Sequence, residues 1–195
     1  MSASDVVDAL AGLDRAFRSL GIRWYVFGAQ AVVLYGVPRL TADLDVTAEA
    51  DPLVLGSLVE RLADEGFEPR PRDLDAFVRK TRVVPVAHVA SGLPVDIVLA
   101  GPGLEQEFLA GARQIRVGEG ITVPVIAPED LVVTKILAGR AKDLDDVRGI
   151  LREQAGGLDL ARSRRYLKLL EEALDRRDLL ATLERLESEP AGESG

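Results

Sequence analysis

The sequence predicts an α+β fold: a mixed sheet flanked by helices, followed by a C-terminal helical segment. Three observations carry this. Short apolar runs rich in valine and isoleucine, bounded by glycine and proline, recur between residues 23 and 127. Apolar residues at helical spacing dominate from Asp130 onward. A length of 195 residues suits one substantial core with a helical appendage. The expected organisation is an α/β core over 1–127, a helical region over 128–188 and a disordered tail over 189–195.

The elements follow in order. Residues 4–20 form an amphipathic helix, because Val6, Leu10, Leu13 and Phe17 share a face, Ser4 or Asp5 can cap its start and Gly21 can end it. "RWYVFG" is a short strand, "AQAVVLYG" a brief helix closed by Gly36, and "ADLDVT" a second strand. Asp51 and Pro52 supply an N-cap and first position for a helix reaching about Gly66. "DAFVRK", "RVVPVAHVA" and "LPVDIVLA" read as strands, the last two joined through "SG" as a hairpin. A short helix is expected over 103–112, and "RQIRV" and "TVPVIA" pair around "GEG". Pro128, Glu129 and Asp130 open the helical part, with acids in the first turn favoured by the helix dipole. Three helical stretches follow: "LVVTKILAG", "KDLDDVRGILREQ" and a long run over 161–186. "ESEPAGESG" ends the chain as a disordered tail.

Composition is that of a globular protein, 47% hydrophobic and 29% charged, and no apolar run approaches the roughly 18 residues of a membrane span. The acidic start "MSASDVVDAL" lacks a signal-peptide pattern, so a cytoplasmic location is expected. With no cysteine, disulfides, thiolate metal sites and cysteine nucleophiles are excluded. A net charge of −8 argues against sequence-independent DNA coating. Arginines at 70, 72, 79 and 82, and at 162, 164 and 165, form two basic islands; these are either solvated surface or a face that attracts a polyanion.

The chemistry concentrates in "VFGAQAVVLYGVPRLTADLDVT". On a strand Asp43 and Asp45 project to one face, their Cα atoms about 6.5–7 Å apart, a spacing at which both reach a divalent ion. Carboxylate oxygens suit Mg²⁺ or Mn²⁺. Alone, such a pair is more often a solvent-facing strand end. "DLDVT" also has the form of a phosphatase aspartate motif, but "PRLTA" precedes it instead of an apolar strand. Glycosyltransferases that use D-x-D need a larger domain before it, and an EF-hand needs oxygens that are absent. A third carboxylate changes the balance: Asp96 stands inside the apolar strand "LPVDIVLA", where an unpaired charge is costly. If that strand lies beside "ADLDV", three carboxylates converge as in two-metal nucleotidyl transfer. Gly28 and Ala29, between a strand and a short helix, let backbone amides approach phosphate. Arg39 and Thr41 can donate to phosphates or order the loop. Lys142 and Asp146 read as an ordinary i, i+4 surface pair. His88, Trp24, Tyr25 and Tyr35 read as packing residues.

With those residues in place, the chain resembles the DNA polymerase β-like nucleotidyltransferases, and looks closest to the AbiEii/AbiGii-type enzymes of toxin–antitoxin operons. The resemblance rests on "FGAQAVVLYGVPRLTADLDV", on Asp96 in "VDIVLA" and on "APEDLVVTKILAGRAKDLDDVRGIL". It implies Asp43, Asp45 and Asp96 as metal ligands, with Asp96 also helping to deprotonate an acceptor hydroxyl. Gly28 would lie in the nucleotide-binding turn, Lys135 would reach the phosphates, and Asp143 would position Lys135 or the nucleotide. The implied reaction moves an NMP from an NTP to a hydroxyl on RNA, a protein or a small molecule, with an antitoxin protein as a possible partner. Gln30 stands where the family carries serine or a second glycine. The alternative is a catalytically silent binding or antitoxin-like module.

Overall fold

The computed structural model describes residues 3–189. Its elements are α1 (Ala3–Ser19), β1 (Trp24–Phe27), α2 (Gly28–Leu34), β2 (Leu44–Ala48), a 3₁₀ turn (Pro52–Val54) and α3 (Leu55–Asp64). Then come β3 (Phe67–Pro69), α4 (Leu74–Thr81), β4 (Val83–His88), β5 (Leu93–Leu99), α5 (Leu104–Gly111), β6 (Arg113–Gly118) and β7 (Ile121–Val125). Four helices end the described chain: α6 (Pro128–Ala138), α7 (Ala141–Glu153), α8 (Leu160–Leu174) and α9 (Leu179–Ser188). The predicted mixed sheet with helices and a helical C-terminal part is observed. None of these helices is long and apolar enough to cross a membrane.

Two compact units result. Among the described residues, the first comprises 3–31 and 40–126, the second 32–39 and 127–189. All seven strands lie in the first, in the order β3-β4-β5-β2-β1-β7-β6. β2 runs parallel to β5 and β1 parallel to β7, while the remaining neighbours are antiparallel. Val26, Val46 and Ile97 stand in register on adjacent strands, fully buried. Trp24, two residues before Val26, shares their face and meets Phe17 of α1 with ring centroids 5.2 Å apart. α1 therefore covers this face, with Leu10 and Leu13 also fully buried. One position along each strand, the opposite face carries the row Phe27, Asp45, Asp96 and Pro85.

In the second unit, segment 32–39 is fixed to α7. Gln154 Nε2 donates to the Tyr35 carbonyl at 3.0 Å, and Val37 lies so close to Gly149 that a Cβ there would stand 2.5 Å from Val37 Cγ1. The Arg162 guanidinium donates to both oxygens of the fully buried Asp130 at 2.7 and 3.0 Å. Ser163 Oγ donates to the Glu129 carbonyl at 2.9 Å, joining α8 to α6.

Local expectations need correction at several places. "DAFVRK" is helical, not extended: Asp73 caps α4 by accepting from Ala76 N at 2.9 Å, and Arg82 ends it in the left-handed region at φ 58°. The strand before it, β3, is a short edge that the sequence reading passes over. Asp51 Oδ1 accepts from Leu53 N at 2.8 Å, but this caps the 3₁₀ turn, and α3 begins only at Leu55. The long helical run over 161–186 breaks at Asp175, φ 50°, after which Glu171 Oε1 accepts from Leu179 N and Leu180 N and restarts the chain as α9. Glu187 and Ser188 belong to α9, and Glu189 pairs with Arg148 and Arg185. The rest of the expected tail lies outside the described residues.

Candidate active site

Predicted site residues fall into two sets, one in each unit. In the first unit, parallel pairing of β2 with β5 puts Asp45 directly opposite Asp96. Neighbouring strands lie about 4.8 Å apart, and in-register residues share a face, so both carboxylates rise from one patch of sheet. Asp43 is two residues upstream, just before β2, and exposed. Thr41 Oγ1 donates to Asp43 Oδ1 at 3.0 Å, which orders the loop entering the strand.

Gly28 closes this patch from the other side. Its φ of +67° is left-handed, a region that favours glycine. An added Cβ would stand 2.2 Å from Asp45 Oδ2 and 3.0 Å from the Asp45 Cβ and Cγ. The strand-to-helix turn therefore needs glycine both for its backbone and to leave room for the Asp45 carboxylate. Ala29 is half-buried at the start of α2, and Gln30 is buried within it.

Asp96 is not the buried charge that its apolar neighbours imply. Val95, Ile97 and Leu99 point into the core, whereas the Asp96 side chain lies on the other face with 38% of its area exposed. Its Oδ1 accepts from the Arg70 guanidinium. Hard oxygen donors on adjacent in-register strands, with a third two residues upstream, fit a divalent ion in chemistry and backbone spacing. Among the described residues, however, no three acidic, histidine or cysteine side chains already converge on one point. Arg70 holds Asp96, and Thr41 holds Asp43.

The second set is Arg39, Lys135 and Asp143, joined by Asp146 and Arg140. Lys135, 5% exposed, donates to Asp143 Oδ1 at 3.2 Å and to Asp146 Oδ2 at 2.7 Å. Arg39 pairs with the same Asp146 oxygen, and Arg140 with Asp143. Burial lowers the Lys135 pKa, opposed by its hydrogen bond and attraction to Asp143 and aided by repulsion from Arg39 and Arg140. For Asp143, burial works to raise the pKa, but hydrogen bonds from Arg140 and Lys135 outweigh it and hold the carboxyl below its ordinary value. Lys135 is thus engaged by two carboxylates in the helical core, and Asp146 faces this core instead of forming a surface pair with Lys142. Asp146 is a site residue that its i, i+4 spacing from Lys142 conceals, and its place on the buried stripe of α7 with Asp143, Val147 and Ile150 is the signal that marks it.

His88 behaves as expected of a strand histidine, buried with Nδ1 2.8 Å from Ser91 Oγ and its ring beside Phe67. Trp24, Tyr25 and Tyr35 are buried packing residues.

This mixed sheet, with an aspartate-bearing strand after a glycine turn, is the architecture of the nucleotidyltransferases. The chain belongs to the family DUF6036, described as a nucleotidyltransferase of unknown function, whose model matches residues 9–155. No curated protein sequence matches it. Among solved structures it is similar to the antibiotic-resistance factor ANT(2″)-Ia at 15% identity and TM-score 0.56, covering 90% of this chain and all of that one. The same factor in complex with adenylyl-2″-tobramycin aligns at 14% identity and TM-score 0.54, covering 88% of this chain and 97% of that one. An antigenic nucleotidyltransferase-like protein from Paracoccidioides brasiliensis aligns at 20% identity and TM-score 0.55, over 93% and 92% of the two chains. These likenesses establish the fold.

Proposed function

We propose that the chain moves a nucleoside monophosphate from an NTP to an acceptor hydroxyl, with Asp43, Asp45 and Asp96 as ligands for Mg²⁺ or Mn²⁺. The observation that supports this most directly is the in-register apposition of Asp45 and Asp96, both half-exposed on the sheet face away from α1, beside Gly28. A bound divalent ion would neutralise the carboxylates and polarise phosphate oxygens. The protein's own groups supply the rest. Asp96 is the base for the acceptor hydroxyl, Gly28, Ala29 and Gln30 give the turn its phosphate-facing amides, and Thr41 steadies Asp43. Arg39 and Lys135, with Asp143 holding Lys135, are the second set of candidate nucleotide contacts.

The acceptor is the 3′ end of an RNA, a protein side chain or a small molecule. A net charge of −8 favours a cationic small molecule, whereas in the two arginine islands Arg70, Arg162 and Arg164 are already paired with Asp96, Asp130 and Glu187, which weakens the case for RNA. The reading includes a cytoplasmic enzyme, with kinship to AbiEii/AbiGii-type toxins and an antitoxin partner resting on motif resemblance alone. The test incubates the purified protein with each α-labelled NTP and Mg²⁺ or Mn²⁺, offering total RNA, lysate protein and an aminoglycoside separately. Label should enter one class, and Asp45→Asn or Asp96→Asn should reduce it more than about a hundredfold. Transfer that survives both substitutions refutes this site. An absence of transfer and of NTP binding leaves the silent binding module.

A further inference from the structure

One ion pair at the candidate site involves a residue that its motifs do not contain. Arg70 follows β3, and its amide donates to the Pro85 carbonyl at 3.0 Å. Pro85 is the β4 partner of Asp96. The sheet therefore carries Arg70, Pro85, Asp96 and Asp45 in one line across four neighbouring strand positions, and the guanidinium spans β4 to reach Asp96 Oδ1. Side chains of Arg70 and Asp96 are 39% and 38% exposed, so burial does not force the pair together. The reason for a cation there is local. Like charges directly opposite on adjacent strands destabilise a sheet, and Asp45 faces Asp96 in that way.

We propose that Arg70 is a built-in counter-ion for this carboxylate pair and competes with a divalent ion for Asp96. The inference rests on the reading that Asp45 and Asp96 ligate such an ion. While Arg70 holds Oδ1 of Asp96, that oxygen is not available to a metal, so ion binding and the Arg70–Asp96 pair exclude each other. Arg70 thereby sets the divalent-ion concentration at which the site fills.

The test measures Mn²⁺ binding to the full chain without nucleotide, following the free-ion electron paramagnetic resonance signal. Arg70→Ala and Arg70→Gln should each tighten binding by about two- to fivefold, the worth of an exposed ion pair. Arg72→Ala is the control, since it removes an equal charge from an exposed neighbour of the same loop. It should shift binding by less than half as much. In an Asp96→Asn background, Arg70→Ala should tighten binding no more than Arg72→Ala does. Equal tightening by Arg72→Ala, or binding by Arg70→Ala no tighter than wild type while Asp96→Asn weakens it, overturns the competition and leaves the metal reading standing. If no form binds Mn²⁺, the metal reading falls and the inference with it.

Discussion

Replacing Gly28 by alanine adds one methyl group at the junction of β1 and α2, and two costs follow. The first is conformational, because a left-handed φ of +67° costs an alanine roughly 1–2 kcal/mol. The second is steric. A Cβ 2.2 Å from Asp45 Oδ2 and 3.0 Å from Asp45 Cγ displaces the carboxylate from its place, whereas the 3.0 Å approach to the Asp45 Cβ is a tight contact that a shift of a few tenths of an ångström relieves. Overpacking of this kind costs about 1–3 kcal/mol. Gly21 separates the two, since its φ is +65° and an added Cβ meets nothing within 4 Å. Gly21→Ala should therefore show the first cost alone, and Gly28→Ala should exceed it by about 1–3 kcal/mol. Both glycines lie in the first unit, as does Trp24, the chain's one tryptophan, buried in β1. Urea unfolding followed by its fluorescence is thus a suitable assay. In an Asp45→Ala background the excess should shrink, because the clashing oxygen is gone. Equal losses for the two glycine variants, or an excess undiminished by Asp45→Ala, would refute the claim that the Asp45 carboxylate rests on Gly28.

Two further predictions concern the helical unit. Lys135→Met strands Asp143 and Asp146 in the core with only Arg140 and Arg39 as partners, and should cost about 3–5 kcal/mol in urea unfolding read by circular dichroism. Lys142→Met, on the exposed side of α7, should stay within about 0.5 kcal/mol, and comparable losses for both would contradict the buried network. Because Asp143 is held below the ordinary 3.8, the unfolded chain takes up that proton first on acidification. Its stabilisation is complete above the ordinary value and is lost as pH falls through the folded one. The urea midpoint of the wild type should therefore fall on acidification below about pH 4, and Asp143→Asn should flatten that fall. An unchanged pH slope in the variant would show that Asp143 does not carry it.

The fold was legible where the local signal and the tertiary outcome agree. The apolar stripe of α1, the hairpins β4–β5 and β6–β7 and the proline-opened α6 are all written in periodicity and turn residues. Reading failed where a few polar contacts decide between states. Residues 75–80 contain too few apolar positions for a period to emerge, and the Asp73 cap settles them as helix. Nothing in the periodicity of 161–186 marks Asp175 as a break. It becomes one because Glu171, eight residues before Leu179, supplies the acceptor that starts the next helix.

At the candidate site the same contrast takes a sharper form, because one cue, a charge among apolar residues, had opposite outcomes in two places. In β5 it implied a buried Asp96, but a strand alternates, and Val95 and Ile97 take the core while Asp96 takes the other face. In α7 a helix places Asp143, Asp146, Val147 and Ile150 on one stripe, so charges at those positions are buried and need cations. Its i, i+4 spacing from Lys142 makes Asp146 look like a surface charge, but the stripe it shares with Val147 and Ile150 carries it inside. The cue must therefore be resolved by the period of its element before it points to chemistry. Even then it identifies only the carboxylates. Arg70 is 26 residues from Asp96 in sequence and meets it through the β3–β4–β5 register. Asp45 meets Asp96 through a parallel pairing that no hairpin turn specifies. The acids of this site are local sequence features, whereas the cation that holds one of them is a product of topology.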